Sequence, residues 1–62
     1  MRMEIKSKIK GKKKIVLYLT NYCNVKNYQV IVYKSYSPDT YHQLKTYATT
    51  EYTKANKIFN RL

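Results

Sequence analysis

Residues 15–36, IVLYLTNYCNVKNYQVIVYKSY, restrict the fold more than any other stretch. Two runs, Ile15–Leu19 and Tyr28–Tyr33, are rich in β-branched and aromatic residues and read as strands. Asn24-Val25-Lys26-Asn27 lies between them, and its asparagines suit turn geometry. Both runs are apolar on consecutive residues and not only on alternate ones. Strands apolar on both faces call for both faces to be covered. The rest of the chain offers one cover, a C-terminal helix, so what occupies the second face becomes the functional question.

The flanking segments fill in the architecture. Residues 1–10 alternate: Met1, Met3, Ile5 and Ile9 are apolar, and Arg2, Glu4, Lys6, Lys8 and Lys10 are charged. This is the period of a half-buried strand. Gly11, the only glycine, supplies the positive φ of a tight hairpin turn. Setting Lys10 opposite Lys12 places Ser7 against Ile15, Ile5 against Leu17 and Met3 against Leu19, apolar against apolar. For the central hairpin two registers stay open. Pairing Cys23 with Tyr28 puts Leu17 and Leu19 on one face with Val30 and Val32; pairing Tyr22 with Tyr28 puts them with Ile31 and Tyr33. The first gives the better aliphatic match.

Ser37-Pro38-Asp39-Thr40 has the proline of a type I turn. Tyr41–Tyr47 then reads as a polar edge strand. Ala48-Thr49-Thr50 offers a helix cap, and Tyr52, Ala55, Phe59 and Leu62 recur at helical spacing with Ile58 beside them, predicting a helix from about Thr50 to Arg61. Glu51 early and Lys57 and Arg61 late suit the helix dipole. The expectation is one α+β domain over residues 1–62: an antiparallel meander of three to four strands with one C-terminal helix on one face, ββββα. In outline this order, with a basic surface, is similar to the small arm-site DNA-binding domains of recombinases. No motif carries the likeness, so it implies no residue roles.

Length and charge set the class. A chain of 62 residues buries only about 60% of the surface its unfolded form exposes, so a partner or a second copy is expected to assist it. One cysteine and one histidine exclude an internal disulfide and argue against a structural zinc site. No apolar run approaches a membrane span, and no signal sequence is visible, so a cytoplasmic location is expected. Thirteen Lys and Arg against three Asp and Glu give a net charge of +10, which points to a polyanionic partner. Most of the cations are lysines, point charges suited to phosphate and not to reading bases. Part of the lysine excess, like the Tyr, Asn and Ile usage, fits AT-rich codons. Together with the small size and a start at Met1, this suits a bacteriophage or mobile-element protein acting in its host's cytoplasm.

Catalysis is poorly supplied. Glu4, Asp39 and Glu51 fall on a strand's wet face, in a proline turn and at a helix start, with no pair spaced as a dyad. Cys23 and His42 lack any flanking signature of a nucleophile and its base. One glycine builds no phosphate loop. No enzyme, cofactor or metal is expected.

The expected site is therefore a surface. In the preferred register, one face shows Val16, Tyr18, Ile31, Tyr33 and Leu44, flanked by Arg2, Lys6 and Lys8. Tyrosines to stack bases and lysines to hold phosphates make a platform for DNA or RNA, with Lys6, Lys8, Lys12, Lys13, Lys14, Tyr18 and Tyr33 as contacts. The same face is also a candidate homodimer interface. An accessory protein docking on an acidic surface of a host protein is the alternative function. The lysines at 12–14 also read as an edge guard, and tyrosine is in any case a good strand residue.

Overall fold

A computed structural model describes residues 2–62; Met1, which the alternating N-terminal pattern included, lies outside them. Five elements follow in order: β1 (Arg2–Lys10), β2 (Lys13–Tyr22), β3 (Val25–Ser37), β4 (Thr40–Thr49) and α1 (Tyr52–Arg61). The strands form one antiparallel sheet in the order β1-β2-β3-β4. The helix lies across β2, β3 and β4 on one face. This is the ββββα fold expected.

The central hairpin is longer than the sequence pattern indicated. Leu17 faces Val30 and Ile15 faces Val32, and pairing runs out to Tyr22 opposite Val25. The turn is Cys23-Asn24, with φ of 52° and 64°. Two consecutive left-handed residues are what a two-residue type I′ hairpin requires. Asn24 takes that conformation readily; Cys23 is an unusual occupant. Residues 25–27, expected in the turn, are strand instead. Tyr28 faces Leu19 and not Cys23. The slide is an even number of residues, so Leu17, Leu19, Val30 and Val32 still share a face, as the first register required.

The first hairpin departs in the other way. Met3 faces Leu19 as expected, but the register shifts between Glu4 and Lys6. Ile5 is the extra residue of a bulge, so Ser7 faces Val16 and not Ile15. An odd step exchanges the two sides. Ile5 and Ile9 end up 39% and 73% exposed, and the helix side is taken by Lys6, Lys8 and Lys10, opposite Leu17, Ile15 and Lys13. The physical reason lies in the helix position. The helix does not reach β1, and a lysine stem spans that gap where isoleucine would fall short. The Lys6 and Lys8 ammonium groups each lie 4.8 Å from the Phe59 ring centroid, and Lys6 donates to Asn56 Oδ1. Their stems shield the ring while their heads stay wet.

The core is Ile15, Leu17, Val30, Val32, Ala55 and Phe59, with Tyr28, Tyr47, Ile58 and Leu62 packed around it. The helix starts at Tyr52, two residues later than expected, behind an extended Glu51 with no side-chain cap. Thr49 Oγ1 instead accepts a bond from the Glu51 N–H at 3.2 Å. Tyr52 stays 42% exposed and meets Tyr28 edge-on at 5.4 Å. At the other end the Leu62 N–H reaches the Ile58 carbonyl at 3.2 Å. Among the described residues no helix is long and apolar enough to cross a membrane.

Candidate nucleic-acid interface

The face away from the helix has no second layer, yet Val16 and Ile31 on it are only 1% and 3% exposed. They face each other across β2 and β3. Their neighbours on that face are Lys14 and Tyr18 along β2, Gln29 and Tyr33 along β3, and Ser7 and Thr46 on the outer strands. Long side chains from the face itself roof the two aliphatic residues. The apolar patch expected from sequence is therefore a small second core under tyrosines.

Those tyrosines are organised. The Tyr18 and Tyr33 hydroxyls approach to 3.5 Å. The Arg2 guanidinium carbon sits 4.2 Å from the Tyr18 ring centroid, stacking range for a cation on an aromatic face. Lys14 Nζ lies 6.0 Å from the Tyr41 ring centroid. Lys14, Val16, Tyr18, Tyr33 and Tyr41 bound a depression of about 150 Å³. Burial pushes the Tyr33 phenol above its ordinary range, helped by the hydrogen bond and charge of Tyr18, while Arg2 and Lys14 pull the other way. The phenol stays a neutral donor beside the cations.

At the β1–β2 turn the depression continues into a groove of about 190 Å³. Gly11, Lys12, Lys13 and Ser35 line it together with Lys14 and Tyr41, which it shares with the depression. Gly11 has φ of 64°, and no heavy atom lies within 4 Å of where a Cβ would stand. The glycine serves the backbone conformation, not space. The Ser35 N–H donates to the Lys12 carbonyl at 2.8 Å, which pins the turn to β3 and fixes where the lysines emerge.

The expected contacts are thus divided. Lys14, Tyr18 and Tyr33 share the open face with Val16 and Ile31, and Lys12 sits at its end. Lys13 projects on the helix side, opposite Lys10 and Lys34. Lys6 and Lys8 do not flank the tyrosines, because the Ile5 bulge turns them to the helix side, where they contact Phe59. Leu44 occupies the irregular step opposite Val32 and Tyr33, 45% exposed, and pairs with no residue of β3. Sequence reasoning missed Tyr41 and the stacking of Arg2 on Tyr18. It also missed Lys34, which a two-residue turn at Cys23-Asn24 would have placed opposite Lys13.

Among the described residues no group of His, Cys, Asp and Glu could hold a metal. Cys23 and His42 lie a strand length apart, at opposite ends of the sheet. Glu51 pairs with Lys54 at 2.9 Å, both well exposed. No protein-family model matches the chain, and neither a curated protein nor a solved structure matches it.

Proposed function

We propose that the chain is a non-enzymatic binding protein that holds single-stranded nucleic acid on its open sheet face. Bases would stack among Tyr18, Tyr33 and Tyr41, with phosphates at Arg2, Lys12 and Lys14. The observation that carries this is the continuity of aromatic and cationic groups: the tyrosine depression runs into the lysine turn through shared Lys14 and Tyr41. Rings accept any base by stacking, and lysines hold backbone without sequence information, so weak base preference goes with the reading. Homodimerisation through the same face is a further reading; Val16 and Ile31, two of the residues it would use, are buried within the single chain. Docking on an acidic host protein, from a phage or mobile element, is the rival.

Salt separates the two. Binding to a mixed-sequence single strand should weaken linearly on a log–log salt plot, and each lost phosphate contact should reduce the slope by roughly 0.7. Reversing charge at Lys12 and Lys14 should weaken binding far more than reversing Lys54 and Lys57 on the helix. Absence of binding to single or double strands at low salt overturns the reading and leaves the charge to steer toward an acidic protein surface.

A further inference from the structure

The helix side of the same sheet end carries a second cationic feature that the open face does not use. Lys10 faces Lys13, Lys13 faces Lys34, and Lys34 faces His42, one residue from each strand in a row across the sheet. Like charges set directly opposite on a sheet repel. Among the described residues no acidic side chain answers them; the one side-chain ion pair is Glu51 with Lys54. Lys10 Nζ donates to the main-chain oxygen of Leu62 at 2.9 Å, and Lys34 Nζ lies 5.6 Å from the Tyr36 ring centroid. Beneath these heads lies a cleft of about 340 Å³ between the turn and the end of the helix. Its rim is Lys10, Lys12, Lys13 and Lys34, and its floor is Ile15, Val32 and Leu62. That volume is at the lower end of small-ligand sites, which combine an apolar lining with a few convergent polar groups.

We propose that this cleft binds a terminal phosphate together with the first apolar or planar group attached to it. A phosphomonoester carries about −1.5 to −2 at pH 7, against a single charge on an internal phosphodiester, so a four-lysine rim favours the former. The backbone bond from Ser35 to Lys12 holds the rim in place before the ligand arrives, which lowers the ordering cost of binding. The shared chemistry, a phosphomonoester on a nucleoside, has two sources: the end of a nucleic-acid strand and a free mononucleotide. Lys12 lies between this cleft and the open face, whereas Lys10 and Lys34 line the cleft alone, so the cleft is tested through Lys34 and the helix-side Lys13.

The test is thermal melting at low salt with adenosine monophosphate, using adenosine as the unphosphorylated control. The nucleotide should raise the melting temperature and adenosine should not, because a ligand bound only by the folded state stabilises it. Lys13→Gln/Lys34→Gln should melt at or above the wild-type temperature without ligand, since repulsion is removed, yet lose the nucleotide's effect. Lys54→Gln/Lys57→Gln, with the same change in charge, should keep it. Lys34→Gln alone should weaken nucleotide binding about tenfold, the loss of one charge-assisted contact. Oligonucleotides with and without a terminal phosphate identify the source. About tenfold tighter binding of the phosphorylated strand assigns the strand end; a response to the mononucleotide alone assigns the free ligand. No melting shift in the wild type, an equal shift with adenosine, or an undiminished shift in Lys13→Gln/Lys34→Gln overturns the proposal. Binding of the unphosphorylated strand tests the open face separately.

Discussion

Tyr33 links the open face to the stability of the fold. Its hydroxyl lies 3.5 Å from that of Tyr18, too long for more than a weak bond, so its main effect is on protonation. Burial raises its pKa above the ordinary tyrosine value of 10.0. A group whose folded pKa exceeds its unfolded value contributes stability that is fully present below the unfolded pKa and is lost as pH rises through the folded one. The contribution from Tyr33 should therefore be constant up to about pH 10 and fade above it. Tyr33→Phe should change stability by under about 0.5 kcal/mol at neutral pH and flatten the alkaline fall. Melting curves across that limb for the two proteins check this; parallel falls would show that the phenol titrates as it does in the unfolded chain. At Lys6 and Lys8, residue chemistry is likewise set by place. Expected on the open face, they are turned to the helix side and cover Phe59.

At the scale of elements, the helix is the one cover the sheet has among the described residues, and Phe59 is its main anchor at 5% exposure. Phe59→Ala should cost about 3–5 kcal/mol, a large share of the stability available to so small a domain. An unchanged melting temperature would show that the helix is not docked as described. Element order was legible from period alone: alternation in β1, two-sided apolar runs in β2 and β3, and the helical stripe ending at Leu62. What was not legible depended on single backbone conformations. The turn at Cys23-Asn24 needs a cysteine at positive φ, which no propensity favours, so the asparagines at 24 and 27 drew the turn two residues too far along. The bulge at Ile5 leaves no mark in an alternating pattern, because bulge and regular strand share the same composition. Its odd step moved Lys6 and Lys8 off the expected site. The run Lys12-Lys13-Lys14 stayed legible as a cationic end because adjacency survives any register.

For the molecule as a whole, net charge and edges act together. Both outer strands carry irregular steps, at Ile5 in β1 and Leu44 in β4, and β1 bears Lys6, Lys8 and Lys10. Bulges and lysines blunt strand edges against pairing with another copy. The faces then divide the work: the helix side holds the core and the lysine row, and the open side presents tyrosines with Arg2 and Lys14. The most direct test of the account is a chemical-shift titration of the labelled protein with a single strand lacking a terminal phosphate. The prediction is that perturbed amides cluster on the open face and the first turn, at Lys12, Lys14, Tyr18, Tyr33 and Tyr41. Perturbations confined to α1, or none at low salt, would contradict it.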